Sequence, residues 1–157
     1  MTRETNTSQT MPAAASTVVA ALNSVLGQSF RLYVQTHGYH WNVEGPQFRQ
    51  LHEMFEAQYQ NLWAALDEVA ERIRVQGAYA PGSVADLMSH AAPEADAAQS
   101  AQDMVAKTIA AHEAIAATLR SSAATCADAG DEVSAGLLTD RLEWHEKEIW
   151  MMRASTR

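Results

Sequence analysis

The chain has one cysteine, Cys126, in 157 residues. An intrachain disulfide is therefore excluded, and a reducing cytosol is the simplest home. The lone thiol reads as small core filler rather than as a nucleophile. Proline and glycine are scarce, at four and seven, whereas alanine is used heavily. Glycine and proline are the main helix breakers and alanine the best helix former, so long helices are expected. No stretch alternates polar and apolar residues as a strand would. No apolar run is long enough to span a bilayer, and the N-terminus lacks the charged start and apolar core of a signal peptide. Lysine is nearly missing: only Lys107 and Lys147 occur, and the net charge is −8. Such a chain repels phosphate backbones and suits cations.

What is present organises as one domain with room for a core. Residues 1–14 are polar and aperiodic, and are expected to form a flexible tail ahead of a domain over 15–157. Helical spacing predicts a first helix from near Ser16 or Thr17 to Asn42 or Val43, where Gly45-Pro46 stops it. A second helix should carry Pro46 in its first turn and run to about Gln76, before Gly77. "VADLMSH" behind Ser83 reads as a short capped helix. The third long helix is expected to open on "AAPEAD", with Pro93 in its first turn and Glu94 and Asp96 at its positive end, and to reach Thr125. After Gly130, Asp131 caps a fourth helix that ends near Arg153. Short connections make helices one and two, and three and four, antiparallel neighbours. One long crossover between the second and third, with its own short helix, gives an all-α fold of the ferritin-like four-helix bundle type.

The chemistry concentrates on the second helix. With a turn of about 100° per residue and His52 at zero, Glu56 falls at about 40°, Asp67 at about 60° and Glu71 at about 100°. All four share one stripe. His40 lies as far before Gly45-Pro46 as His52 lies after it, so antiparallel packing sets the two imidazoles at one level. His52 and Asp67 are separated by about 22 Å along the axis, so one chain cannot close both groups on one ion. Two antiparallel copies of this helix about a two-fold axis could, giving two equivalent sites per dimer. Two imidazoles and up to three carboxylates suit iron, manganese or zinc rather than Cu(I). Bridging carboxylates with a position left for an oxidant describe a di-iron oxidation site. A solvated, salt-bridged helix face is the plain alternative, and spacing alone leaves both readings open. No Glu-x-x-His occurs, which disfavours the intrachain di-iron arrangement.

"HWNVEGPQFRQLHEMFE" followed by "LDEVAERI" resembles the signature of the Dps family, the mini-ferritins named as DNA-binding proteins from starved cells. The resemblance runs from about residue 15 to the end, through the closing "AGDEVSAGLLTDRLEWHEKEIWMMR". It implies a homo-dodecamer of four-helix bundles around a cavity, with ferroxidase centres at two-fold interfaces. Carried over by motif, the first ligand histidine is His40, the second His52 and a supporting acid Glu56. Asp67 and the bridging Glu71 come from across the interface. Many relatives have aspartate at position 56, so the longer Glu56 arm is a departure. Trp41 matches a tryptophan beside the family's site that is thought to take up stray oxidising equivalents. The implied activity is oxidation of Fe(II) at a di-iron centre, preferably by hydrogen peroxide, with ferric mineral stored in the cage, in the bacterial cytoplasm or nucleoid. The alternative is a nucleoid DNA-binding protection protein with little ferroxidase role. Against it, the tail sets Arg3 against Glu4 and has no lysine, and the C-terminus offers Arg153 and Arg157 only. DNA binding is therefore expected to be weak or absent.

Five further readings are open to structure. His37 is a surface histidine or an outer metal contact, and His145 an exposed helix residue. Arg72 pairs with an acid across an interface or lies free on the surface. Asp131 is a helix cap that could also line a cation pore. The run from Ile149 to Met152 is expected to be buried.

Overall fold

The computed structural model describes residues 11–92 and 97–155. The expected tail falls largely, and Pro93, Glu94 and Asp96 fall wholly, outside these residues. Four long helices, α1 (Ala13–Asn42), α2 (Phe48–Val75), α4 (Ala101–Asp128) and α5 (Glu132–Ser155), are joined by short turns within each pair and by a crossover holding α3 (Val84–Ser89). No strand occurs among the described residues. α1 packs against α2, α4 against α5, and α1 against α4. This is the all-α bundle that the helical periodicity predicts.

Local chemistry sets the ends. Ser83 caps α3 by accepting from the Asp86 N–H at 3.1 Å, and Ser100 caps α4 through Asp103 at 3.1 Å. Asp103 answers by accepting from the Gln99 N–H at 2.9 Å. That local pair places the start of α4 at Ala101, later than the proline-led start expected from "AAPEAD", and residues 97–99 are irregular. Pro46 lies in the turn before α2 rather than in its first helical turn, and α1 begins three residues before Ser16. Gly130 closes α4 with φ +77, and the Asp131 N–H reaches back to the Cys126 carbonyl at 2.9 Å.

The main core joins Leu22, Leu26, Leu62, Ile73, Leu119 and Leu138 across all four long helices. Val43, Leu51, Phe55, Val105 and Met152 form a second cluster at the α1–α2 turn. α3 docks where α1 has Gly27: a Cβ there would meet the Leu87 carbonyl oxygen at 2.6 Å and the His90 Cβ at 2.8 Å. Cys126 is buried, and burial pushes its thiol up, as inert filler requires. Of the run 149–152, Ile149 and Met152 are buried, while Trp150 and Met151 face outward.

Two polar readings change, and a third, Asp131, keeps its role as a cap. His145 is 1% exposed, not a surface residue. Its Nδ1 lies 2.9 Å from Nδ1 of His112, itself fully buried, so one imidazole donates to the other between α5 and α4. The signal was spacing: His145 stands on the same stripe as the buried Leu138, Ile149 and Met152. Arg72 does not await a second chain. It donates to Asp131 at 2.6 Å and to the Ser134 hydroxyl at 2.8 Å. Asp131 also accepts from Gln76 at 2.7 Å and from the Ser134 N–H at 3.0 Å. Burial alone would raise the Asp131 carboxyl, but the Ser134 donors and the Arg72 guanidinium outweigh it and hold it below the usual carboxylate range. This carboxylate is a cap and a tie between the end of α2 and the start of α5. Asp131→Ala leaves Arg72 only the Ser134 hydroxyl, with an expected loss of about 2 kcal/mol in denaturant unfolding.

Candidate metal centre

The α1–α2 turn brings His40 and His52 together. Their rings stack at 3.8 Å between centroids, tilted by 20°. His40 Nδ1 lies 2.9 Å from the His52 carbonyl oxygen, and His52 Nδ1 lies 2.8 Å from the His40 carbonyl oxygen. A carbonyl only accepts, so each Nδ1 carries its proton and donates. Both Nε2 lone pairs are thereby left bare, the tautomer a metal needs. The His40 carbonyl belongs to the last turn of α1, where helix geometry supplies no partner, and the His52 ring satisfies it. Phe48 also stacks on His52, at 5.0 Å between centroids.

Glu56 follows His52 by one turn. The three residues offer ligand atoms that all lie within 4.8 Å of one another, and all three are half-buried. No other such group of three occurs among the described residues. Gln60 donates to Glu56 Oε1 at 3.2 Å, tethering the longer arm. Two imidazole nitrogens and one carboxylate oxygen, open on one side, fit iron, manganese or zinc.

Asp67 and Glu71 stand elsewhere. Both are exposed on α2, about 22 Å (Asp67) and about 28 Å (Glu71) along the axis from His52. Asp67 edges a groove lined by Phe30, Trp63 and Leu87. The structure thus joins three of the five residues singled out and leaves Asp67 and Glu71 exposed and apart from that group.

An aromatic wall fills the space beside the histidines, and sequence reading missed it. His37 stacks on Tyr59 at 3.9 Å, lies 4.2 Å from Trp41 between ring centroids, and shares a 3.3 Å hydrogen bond with the Tyr33 hydroxyl. It is neither a free surface residue nor one of the converging group. Tyr59 packs edge-on to His40 at 5.3 Å, and Trp63 lies 5.5 Å from Tyr33. Trp41 and Trp63 are 67% and 63% exposed, an unusual outlay of indole surface for a free subunit. The signal was there in the i, i+4 pairs Tyr33/His37 and Tyr59/Trp63, which place all four rings on facing sides of α1 and α2.

Residues 19–157 match the ferritin-like domain family. A relative from Brevibacillus brevis, a DNA protection during starvation protein, is 32% identical over 87% of this chain and 93% of its own length. The crystal structure of a Dps protein from Bacillus brevis is 30% identical and superposes with a TM-score of 0.90 over 94% of this chain and 100% of that one. A Dps protein from Vibrio cholerae, described as a ferritin-like diiron-carboxylate protein, is 28% identical, with a TM-score of 0.87 over 92% and 91% of the two chains. Five helices with a capped crossover helix, a histidine pair at the first turn and a match along nearly the whole chain have one common explanation: the chain belongs to the Dps family of ferritin-like proteins.

Proposed function

We propose that this protein is a ferroxidase that oxidises Fe(II), preferably with hydrogen peroxide, and stores the ferric product in a dodecameric cage in the bacterial cytoplasm. The observation that carries this reading is the reciprocal His40/His52 pair, which presents two bare Nε2 atoms beside the Glu56 carboxylate. Each catalytic centre would take His40, His52 and Glu56 from one subunit and Asp67 and Glu71 from a second copy. Support for the second copy is negative space: Asp67 and Glu71 have nothing of their own chain to close on, while exposed Trp41 and Trp63 mark the same side for contact. Iron enters as substrate, and bridging Glu71 would let two irons give up two electrons to one peroxide. That route produces water without hydroxyl radical. Trp41, beside the ligand set, would take up any stray oxidising equivalent.

The test is anaerobic addition of Fe(II), then hydrogen peroxide, following ferric absorbance. Fast formation of a soluble ferric product, lost in the His40→Ala/Glu71→Ala double variant, is the expected result. Oxidation no faster than in buffer would leave the stripe as a structural contact only.

DNA protection by direct coating finds little chemistry to use. The net charge of −8 opposes a phosphate backbone. Gel mobility of plasmid DNA should be unchanged at about 150 mM salt, the physiological range. Full retardation there would reverse this assignment.

A further inference from the structure

The stripe of α2 that carries the ligands also carries a device for setting their register between two copies. We propose that Trp63 is a positioning residue for iron oxidation: its ring seats in a recess of the second copy, lined by Tyr33, Tyr59, Gln60 and Trp63, and fixes the slide of one α2 against the other. The proposal rests on the intersubunit ferroxidase reading above.

Spacing fixes where the two copies meet. When α2 of two copies runs antiparallel about a two-fold axis, level residues lie equally far on either side of that axis. Bringing His52 level with Glu71 puts the axis between Asn61 and Leu62, and bringing Glu56 level with Asp67 puts it at the same point. One dyad therefore serves both ligand pairs. Asn61 is half-buried and Leu62 buried, so the exposed residues nearest the dyad are Gln60 and Trp63, each about 2 Å from it along α2. With His52 at zero, Trp63 falls at about 20° and Gln60 at about 80°, inside the arc from His52 to Glu71. A second copy close enough to share an ion must press on both.

The surface at that point is shaped for a ring. Tyr33 and Tyr59 stand edge to face at 6.4 Å, and Trp63 leans on Tyr33 at 5.5 Å, between centroids. They leave a recess of about 280 Å³ with Gln60 as its polar wall. A two-fold axis brings each copy's exposed indole to the other's recess, so one contact buries two large apolar surfaces. Charge alone does not fix the slide, because its attraction falls off only gradually with distance. A ring in a recess does, because a slide of one residue, about 1.5 Å, drives packed atoms together. Gln60 ties the recess to the ligands. Its amide donates to Glu56 Oε1 at 3.2 Å, and an indole laid over that hydrogen bond excludes water and strengthens it.

The assembled protein is tested by thiol cross-linking, by Co(II) titration followed by absorbance, and by Fe(II) oxidation with hydrogen peroxide. Gln60→Cys sets the two copies' thiols about 4.5 Å apart along the axis, whereas Glu53→Cys sets them about 26 Å apart. Diamide should join Gln60→Cys subunits in pairs on a denaturing gel and leave Glu53→Cys subunits single, the native Cys126 being buried in both. Trp63→Ala should weaken Co(II) binding and slow Fe(II) oxidation, each by on the order of tenfold, as loss of a residue that orients metal ligands does. Trp63→Phe keeps a ring and should recover most of both. Absence of the Gln60→Cys pair, or a Trp63→Ala protein that binds Co(II) and oxidises Fe(II) like the wild type, overturns the proposal. A wild type that leaves Fe(II) unoxidised overturns the ferroxidase reading instead, while the Gln60→Cys pair still reports on the contact.

Discussion

Subunits of His40→Ala and subunits of Glu71→Ala, each nearly inactive alone, should recover Fe(II) oxidation when they are co-assembled. Removing a ligand is expected to cost at least as much as removing a ligand's supporting hydrogen bond, about 10–100-fold. In a mixed dimer one centre carries both substitutions. The other takes intact His40, His52 and Glu56 from the Glu71→Ala subunit and intact Asp67 and Glu71 from the His40→Ala subunit. With random pairing about half the dimers are mixed, so about a quarter of all centres are restored. The recovered rate should approach that fraction of wild type. Zero recovery from well-assembled mixed oligomers would mean that the acidic end of α2 serves no neighbour. The effect is large because the two groups lie about 22 Å apart on one helix, a separation no side chain spans.

Acid should weaken the fold through a buried pair of residues that is not part of that centre. Burial, aided by the nearby Arg141 guanidinium, pushes His112 down to about 3. Burial, the His112 ring and Arg141 push His145 down to about 2. An unfolded histidine titrates near 6.5, so below that pH the unfolded chain binds protons that the folded chain refuses. The neutral pair's contribution is complete above about pH 6.5 and drains away as the pH falls toward the folded values. By pH 5 the loss is about 2 kcal/mol for each ring and about 4 kcal/mol for the pair, a large part of a typical folding free energy. Urea unfolding at pH 7.5 and pH 5 measures it. In His112→Leu/His145→Leu the difference between the two pH values should shrink by most of that amount. An undiminished difference would assign the acid sensitivity to other groups.

The caps at Ser83 and Gly130 and the convergence of His40, His52 and Glu56 are legible because each is a local matter. Ser83 with Asp86, Gly130 with Asp131, and the spacing of His40 and His52 about Gly45 are decided within a few residues. The start of α4 was misplaced because a proline-led pattern competes with Ser100 and Asp103, and the capping pair wins. The charged neighbours of His145 in "EWHEKE" point to the surface, and its burial depends on His112, 33 residues away in the chain. Arg72 and Asp131 likewise meet only after α2 and α5 have packed. The aromatic wall requires knowing which faces of α1 and α2 oppose one another, which residue types alone do not specify.

The turn between α1 and α2 has a role beyond reversing the chain. His40 and His52 are each anchored to the other's backbone, so the vertical offset of the two helices is also the offset of the two rings. Gly45 holds φ +108, a backbone state that side chains with a Cβ resist, and the Phe48 N–H closes on its carbonyl at 3.0 Å. The spacing of the two histidines about the turn therefore acts as a ruler for the ligand set. A residue added between His40 and the end of α1, or between the start of α2 and His52, would shift that histidine's imidazole by about 1.5 Å and turn it by about 100°. Every ligand would still be present in the sequence, yet the bare Nε2 atoms would no longer face a common point. On the proposed reading, the interval between the two histidines is as much a part of the metal-binding code as the histidines themselves.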